Sequence, residues 1–356
     1  MPVSKEFANL MVDMAPECAP PGIGCGPPGR LKSRDKKTLI RPRRTGASLP
    51  ACVRTARRLL WLAAIRHRSG TTMINATGIA SLPSDWTRDA VRAVRGPLSA
   101  GLKREVLRTQ ASLYLRSVWG ARGKEARSRV LNFDVTGFSQ PTLRFLFREI
   151  FIDLDYYFET SNRSPFILDC GSNIGMSILF FKALYPGASV IGFEPASETY
   201  RLLLQNIDRN RLADVHVHPV ALGETDATTD FFDANHPGSF VASTNRHRIS
   251  EKHTTVKQVR LSTFIDRDVD FLKLDVEGAE LSVLRDLAAS GCIRRIAQMV
   301  VEYHHHIDTT EDRFAEFLAV LEAQRFGYQL KALANPRRRR GEFQDFLIYA
   351  YRKDRS

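Results

Sequence analysis

The sequence has few cysteines and no long apolar run. The cysteines are Cys18, Cys25, Cys52, Cys170 and Cys292. Their spacing fits neither a metal site nor a disulfide framework, which favours a reducing compartment. The longest early apolar run covers only residues 59–65, whereas a membrane-spanning helix needs about 20 residues. These absences predict a protein without a membrane span and with a cytoplasmic location.

The first 72 residues have few acidic side chains. They carry 14 Lys and Arg against 4 Asp and Glu, a net charge of +10, while the rest of the chain adds only +3. They also hold 8 of the 17 prolines. Such a segment cannot bury enough apolar surface to offset its ordering entropy, so residues 1–72 are predicted to be a disordered basic tail. Aromatic residues do not alternate with the charges as a stacking surface requires, so nucleic acid is not expected as a partner.

The periodicity of apolar residues divides the rest of the chain at about residue 140. It predicts two helices, from Ser84 to a break at Gly96 and over residues 99–118, in a helical extension of residues 73–140. Residues 141–158 are rich in large apolar side chains and are expected to pack beside a sheet. From residue 165 onward strands and helices alternate, so residues 141–356 are predicted to form one α/β domain.

The predicted fold class is α/β, with a doubly wound seven-stranded sheet. Five parallel strands are expected, beginning at residues 166, 190, 215, 271 and 299. Two further strands are expected at residues 328–333 and 346–351. No crossover helix fits between these two, so they must pair as a terminal antiparallel hairpin.

The first predicted strand leads through a tight loop into a helix, and this loop is the predicted ligand site. Asp169 ends the strand, Gly171 lets the backbone turn and approach a ligand, and Gly175 precedes the helix. Ligands of open parallel sheets bind at the carboxyl ends of the strands. A carboxylate beside free helix amides suits a ligand with a cationic amine or hydroxyl donors.

Acidic residues also end other predicted strands, namely Glu194, Asp275 and Glu302. A carboxylate at the position of Glu194 can accept both hydroxyls of a ribose. The loop lacks the Gly-x-Gly-x-x-Gly pattern of dinucleotide binding, and Asp169 disfavours a pyrophosphate. The pattern therefore favours S-adenosylmethionine as the cofactor over the nicotinamide of an oxidoreductase.

Four motifs in order resemble those of the FkbM family of S-adenosylmethionine-dependent methyltransferases. They are Asp169-Cys-Gly-Ser-Asn-Ile-Gly175, Gly192-Phe-Glu-Pro195, Val220-Ala-Leu-Gly223 and Lys273-Leu-Asp-Val-Glu-Gly-Ala-Glu280. The resemblance spans about residues 140–350. It implies the class I methyltransferase sheet, which is Rossmann-like, and O-methylation of a hydroxyl on a sugar, a glycan or a secondary metabolite.

The resemblance also implies a set of cofactor-binding residues. These are Asp169, Gly171, Ser172, Asn173, Gly175, Glu194 and Pro195, with Ala221 and Leu222 bordering the adenine. Ser172 departs from the family, where alanine is common, but a hydroxyl is small enough to leave the turn intact.

The candidate catalytic residues follow the fourth predicted strand. Lys273 and Asp275 alternate with apolar residues, so both side chains point to one side of the strand. Asp275 would orient the cofactor or take the hydroxyl proton, while Lys273 is either an active-site residue or the ion-pair partner of Asp275. Glu277 precedes Gly278 in the loop and is expected to act at the pocket. Glu280 is expected to lie at the N-terminus of the following helix, where its negative charge interacts favourably with the helix dipole.

The segment Glu302-Tyr-His-His-His306 invites a metal interpretation. Alternate residues of a strand point to opposite faces, so the three adjacent histidines cannot face one centre. Glu302 and His304 could share a face and, with Asp275, form a hydroxyl-activating group or a weak divalent site. No metal is assigned, and Asp275, Glu277 and His304 remain alternative proton acceptors.

The predicted function is methyl transfer to a hydroxyl of a small molecule or glycan. The Asn/Asp-Pro-Pro-Tyr signature of adenine or glutamine N-methylation is absent after the fourth strand, which disfavours amino methylation of nucleic acid. A catalytically silent module, recruited to an anionic partner by the basic tail, is the alternative. Residues 238–244 form a candidate substrate lid within the long insertion 231–258. No pattern sets the oligomeric state.

Overall fold

A computed structural model describes residues 84–119, 125–232, 253–306, 311–332 and 344–354. The predicted basic tail and the candidate lid at 238–244 lie outside these residues. Within the described ranges, no helix combines the length and the apolar character that a membrane crossing requires. The division of the chain at residue 140 stays a prediction.

The described residues contain helices and strands in an order typical of an α/β protein. The α-helices are α1 (Ser84–Arg95), α2 (Ala100–Trp119), α3 (Gln140–Phe147), α4 (Met176–Leu184), α5 (Ser197–Arg209), α6 (Glu280–Ala289) and α7 (Phe314–Ala323). The strands are β1 (Ala126–Val130), β2 (Phe133–Gly137), β3 (Phe166–Cys170), β4 (Ser189–Phe193), β5 (Val215–His218), β6 (Ala221–Gly223), β7 (Ala227–Phe232), β8 (His253–Arg260), β9 (Phe271–Leu274), β10 (Gln298–His305), β11 (Phe326–Ala332) and β12 (Gln344–Arg352).

Seven of these strands form the main sheet, in the order β11-β12-β10-β9-β3-β4-β5. Neighbouring strands from β10 to β5 pair in parallel. Strand β12 pairs antiparallel with both β10 and β11. This topology confirms the predicted five parallel strands with a terminal antiparallel hairpin. Chain order reverses between β3 and β9, which is where open α/β sheets bind ligands.

Helices cover both faces of the sheet. Successive residues of its central strands point to opposite faces, and they pack into a different core on each side. Ile167 and Phe271 join a core with residues of α3, α4 and α5. Leu168 and Leu272 join a second core with residues of α6 and α7. This two-sided burial explains why the central strands read as continuous apolar runs in the sequence.

Two small sheets were not predicted. Strands β1 and β2 form an antiparallel hairpin inside the segment expected to be helical. Strand β6 leaves the main sheet after β5 ends at His218, although a single strand was expected from Val215 to Ala221. It pairs with β8, which also pairs with β7, in a three-stranded sheet. Both pairings of β8 join residues far apart in the chain, so local patterns do not reveal them.

Strand β10 continues beyond its predicted end at Val301. Its parallel pairing with β9 stops where Val301 faces Leu274, but its antiparallel pairing with β12 continues to His305. Glu302 and His304 therefore lie within the strand and not in a loop. Strand β10 therefore extends four residues, from Glu302 to His305, beyond its last pairing with β9.

The aromatic-rich segment packs beside the sheet as expected. Helix α3 begins after Ser139, whose hydroxyl accepts the N–H of Thr142, and it passes into a π-helical turn (Arg148–Ile152). Phe151 of this turn stacks on Phe147 and meets Phe180 of α4 edge to face. The segment that follows brings Tyr156 to Asp275, just after β9, and to Glu302 within β10.

Candidate functional site

The loop between β3 and α4 is tied to the neighbouring strand β4. The N–H groups of Gly171 and Ser172 both donate to the carbonyl oxygen of Phe193, at 3.0 and 2.9 Å. Gly171 has a φ of +85°, and Gly175, at the start of α4, has a φ of +89°. Both angles lie in the left-handed region that favours glycine, so the glycine pattern read from the sequence corresponds to a real turn.

Glu194 closes the side of this loop at the tip of β4. One carboxylate oxygen accepts the N–H of Asn173 at 3.0 Å, and the other accepts the N–H of Ala196 at 2.9 Å. Burial raises the pKa of Glu194 to about 7, although these two hydrogen bonds act in the opposite direction. Each oxygen keeps a further lone pair, so the carboxylate can also accept hydroxyl groups.

The other predicted cofactor residues surround this loop. Ser172 is fully buried, and its hydroxyl donates to the carbonyl of Asp169 at 2.8 Å and accepts the N–H of Phe193 at 3.2 Å. Its side chain therefore stabilises the turn. Ala221 and Leu222 are buried in β6, and Pro195 directly follows Glu194. Their contacts with a cofactor stay predictions.

Asp169 and Lys273 lie beneath the loop as a buried pair. The Ser177 hydroxyl donates to Asp169 Oδ2 at 2.6 Å, and Lys273 Nζ lies 3.7 Å from Oδ1. Among the described residues, Oδ1 of Asp169 has no hydrogen-bond partner. Burial raises the pKa of Asp169, and the charge of Lys273 opposes that shift.

Lys273 connects this pair to Asp275. Its ammonium group donates to the carbonyl of Gly171 at 2.7 Å and to Asp275 Oδ2 at 3.1 Å. Burial alone would lower the pKa of Lys273, but the charges of Asp275 and Asp169 outweigh it and raise the pKa, so the side chain stays charged. Lys273 is thus the ion-pair partner of Asp275 and also holds the loop between β3 and α4 in place.

Tyr156 belongs to the same cluster, although sequence reasoning did not single it out. Its hydroxyl lies 3.4 Å from Asp275 Oδ2 and 3.4 Å from Glu302 Oε2. Lys273 Nζ stands 4.9 Å from the centroid of its ring. Burial raises the pKa of Tyr156 well above its usual value, with Asp275 and Glu302 adding to the shift, so the phenol stays protonated. A tyrosine in a segment rich in large apolar residues was the available signal, because a buried hydroxyl needs a partner.

His304 lies between carboxylates on both sides of its ring. Nδ1 is 2.8 Å from Glu280 Oε1, and Nε2 is 3.3 Å from Glu277 Oε2 and 3.9 Å from Asp275 Oδ1. Burial lowers the pKa of His304, but Glu280 and Glu277 outweigh it and raise the pKa well above 6.5. Glu280 also accepts the N–H of Gly278 at 2.8 Å, so it supports the start of α6 as expected and additionally orients His304.

Among the described residues, three groups of side chains have the ligand types that a divalent ion accepts, and one of them is His305, His306 and Asp312. Asp275, Glu277 and His304 place one ligand atom each within 4.8 Å of one another, as do Glu302, His304 and Asp345. A protonated imidazole between the carboxylates satisfies the group of Asp275, Glu277 and His304 equally well. The arrangement therefore does not by itself call for a metal.

Two further carboxyl groups hold protons near neutral pH. Burial, followed by the charge of Asp275, raises the pKa of Glu302 to about 8. Burial, followed by the charge of Glu302, raises the pKa of Glu149 in the π-helical turn to about 9.

The structure brings together all five predicted catalytic side chains, which are Lys273, Asp275, Glu277, Glu302 and His304.

Comparisons with known proteins point to one family. Residues 169–330 match the family model described as the Methyltransferase FkbM domain. Methyltransferase 1 of Beauveria bassiana is 33% identical over 167 residues, which are 41% of this chain and 67% of that protein. The 31-O-demethyl-FK506 methyltransferase FkbM of Streptomyces tacrolimicus is 40% identical over 72 residues, 20% of this chain and 28% of that protein. The hexuronic acid methyltransferase AglP of Haloferax volcanii is 27% identical over 155 residues, 42% of this chain and 60% of that protein.

Proposed function

The chain belongs to the FkbM family of methyltransferases, and from this premise we propose that it transfers the methyl group of S-adenosylmethionine to a hydroxyl of a sugar or another small molecule. One observation carries the proposal. The glycine loop of β3 and the carboxylate cluster at the ends of β9 and β10 meet at Gly171, whose carbonyl accepts a hydrogen bond from Lys273 at 2.7 Å. Lys273 also donates to Asp275, which together with Glu277 and Glu302 makes up the carboxylate cluster. A cofactor on the loop would thus present its methyl group to these carboxylates.

The residues of the loop fit this cofactor. Asp169 Oδ1 is buried and accepts no hydrogen bond among the described residues, and Lys273 Nζ lies 3.7 Å from it, so the ammonium group of the methionine end would share this oxygen with Lys273. Glu194 can accept the two ribose hydroxyls, and by family resemblance Ala221 and Leu222 border the adenine. When bound, the cofactor supplies an electrophilic methyl group on a sulfonium.

The carboxylate cluster fits the task of receiving the hydroxyl proton. Asp275 faces the glycine loop, and Lys273 at 3.1 Å stabilises its negative charge. His304 is the weaker candidate, because carboxylates already face both of its ring nitrogens. Glu277 lies beside His304 and would serve as its counter-ion. General-base assistance of this kind is worth about 10²–10⁴ in rate.

Two relatives suggest where to look for the acceptor. One is named as a methyltransferase of 31-O-demethyl-FK506, and the other as a methyltransferase of a hexuronic acid. Both names concern oxygen-rich small molecules. We therefore infer that the hydroxyls of 31-O-demethyl-FK506 and of hexuronic acids are the first acceptors to test.

The first experiment titrates S-adenosylmethionine, and separately NADH, into the full chain by calorimetry. We expect the first to bind and the second not to bind. Asp169→Asn and Glu194→Gln should each weaken the binding by about tenfold or more, because each removes a charged hydrogen-bond acceptor. Glu198→Gln, at an exposed position in the first turn of α5, is the matched control. Unchanged binding in folded Asp169→Asn and Glu194→Gln variants would contradict the proposed cofactor site.

The second experiment identifies the methylated atom. The enzyme is incubated with ¹³C-methyl-labelled S-adenosylmethionine and with 31-O-demethyl-FK506 or hexuronic acids, and the products are analysed by NMR. We expect a methyl ether. A methyl ester or an N-methyl product would refute transfer to a hydroxyl, although it would leave the methyltransferase assignment intact.

A further inference from the structure

The hydroxyl of Tyr156 joins two carboxylates that reach it from neighbouring strands. It lies 3.4 Å from Asp275 Oδ2, just after β9, and 3.4 Å from Glu302 Oε2, within β10. A phenol has one proton to donate and two lone pairs that accept. It can therefore donate to one carboxylate while it accepts a proton from the other.

The position of this hydroxyl is fixed from several sides. Tyr156 is 7% exposed, and its ring packs with the core that covers one face of the sheet. The ammonium group of Lys273 lies 4.9 Å from the ring centroid. The π-helical turn (Arg148–Ile152) precedes it, and such turns often occur at functional sites. The phenol is thus held between the carboxylates with little freedom to turn away.

The two carboxylates differ in their surroundings. Asp275 faces the ammonium group of Lys273 at 3.1 Å, which favours its negative charge. Glu302 faces Asp275 and Lys273 from the β9 side, Asp345 from β12, Glu149 from the π-helical turn, and His304 from its own strand. Burial and the nearby Asp275 raise the pKa of Glu302 to about 8. Once ionised, Glu302 therefore accepts a proton more readily than an ordinary glutamate does.

We propose that Tyr156 relays the proton of the acceptor hydroxyl from Asp275 to Glu302. This inference rests on the proposed function. In the transfer, the acceptor oxygen bonds to the methyl carbon while the carbon–sulfur bond breaks, and the electron pair of that bond stays on sulfur. The acceptor proton moves to Asp275 Oδ2. Tyr156 accepts it while passing its own phenolic proton to Glu302 Oε2, and Glu302 releases that proton to solvent before the next turnover.

The relay requires ionised Glu302, which sets its pH dependence. For the wild type, kcat should rise with pH through an apparent pKa near 8. Tyr156→Phe keeps the ring and removes only the hydroxyl, so kcat should fall by at least about tenfold while the affinity for S-adenosylmethionine stays unchanged. Both Tyr156→Phe and Glu302→Gln should lose the rise near pH 8.

Tyr157→Phe is the matched control, because the neighbouring phenol donates to Glu159 at 2.6 Å and stands outside the cluster. It should keep the wild-type kcat and pH profile. Thermal unfolding of each variant reports any loss of folded protein. A Tyr156→Phe enzyme with wild-type kcat and pH profile overturns the relay, and so does one whose lower kcat still rises near pH 8. A wild type that methylates no acceptor overturns the proposed function and the relay together.

Discussion

A Cβ atom on Gly171 would stand 1.8 Å from the carbonyl oxygen of Asp275. The backbone of the glycine loop therefore lies directly against the end of β9, and the N–H of Asp275 in turn donates to the carbonyl of Cys170 at 3.0 Å. The loop that we propose as the cofactor site is therefore in direct contact with Asp275, the residue that we propose as the proton acceptor. No side chain larger than hydrogen fits between them.

Replacing Gly171 with alanine should both destabilise the fold and weaken the binding of S-adenosylmethionine. The φ of +85° strains any other residue, and the new methyl group must displace Asp275. We expect a loss of at least about 2 kcal/mol in the free energy of unfolding, measured by urea denaturation. Binding of S-adenosylmethionine should weaken strongly in the same variant.

Gly101→Ala is the control for this substitution. A Cβ on Gly101 would meet nothing closer than the Ser99 hydroxyl at 3.9 Å, and the residue lies within α2. Alanine favours a helix over glycine by about 1 kcal/mol, so this variant should be slightly more stable than the wild type. Equal stability of the two variants would show that the contact between residue 171 and Asp275 is not tight.

Lys273→Met tests the buried charge cluster. Lys273 is 2% exposed and is paired with Asp169 and Asp275, so methionine would leave two carboxylates without their ammonium partner. Breaking a buried ion pair by removing one partner costs about 3–5 kcal/mol, which denaturant unfolding would detect. Lys257→Met, at an exposed position in β8, should change stability by less than about 0.5 kcal/mol. A Lys273→Met variant as stable as this control would refute the structural role of the ammonium group.

Glu194 should make cofactor binding dependent on pH. Burial raises its pKa from 4.5 to about 7. Only the ionised carboxylate would accept both ribose hydroxyls of the proposed cofactor. Affinity for S-adenosylmethionine should therefore increase as the pH rises through 7, as calorimetry at pH 6, 7 and 8 would show. Glu194→Gln should flatten this dependence, and Glu198→Gln should retain it. An affinity of the wild type that does not vary with pH would argue against the role of Glu194.

The same carboxyl group has the opposite effect on folding. Because its pKa is higher in the folded protein, the folded state binds the proton more tightly than the unfolded state does. The contribution of Glu194 to stability is therefore largest at low pH and declines between pH 4.5 and about 7. Comparing the urea unfolding of the wild type with that of Glu194→Gln across this pH range measures the contribution of Glu194 to the free energy of unfolding.

His304 should stabilise the fold most strongly in its protonated form. Glu280 and Glu277 raise its pKa well above 6.5 against the effect of burial, so its contribution is fully present below pH 6.5 and is lost as the pH rises through the raised value. The difference in unfolding free energy between wild type and His304→Gln should be largest at pH 6 and shrink toward pH 9. A difference that does not vary with pH would contradict the raised pKa, because it would mean that folding leaves the pKa of His304 unchanged.

Several features of the site could be predicted because their signals are local. An apolar run, a carboxylate and two glycines within ten residues determine the turn at Gly171 and Gly175, and the family match confirms the resemblance carried by those motifs. The antiparallel pairing of the last two strands followed from the short connection between them. The hairpin β1–β2 and the three-stranded sheet were missed, since strand pairing depends on partners that a local pattern does not contain.

The sequence by itself determined the fold class, the glycine turn after β3 and the family, because periodicity, glycine positions and motif spacing are properties of short stretches. Only the tertiary structure decided which side chains meet. Tyr156 reaches Asp275 across 119 residues, and Glu280 reaches His304 across 24. Glu302 and His304 lie within a strand because β12 pairs with β10 beyond the end of β9. These contacts arise from packing between distant elements, and packing depends on the whole chain.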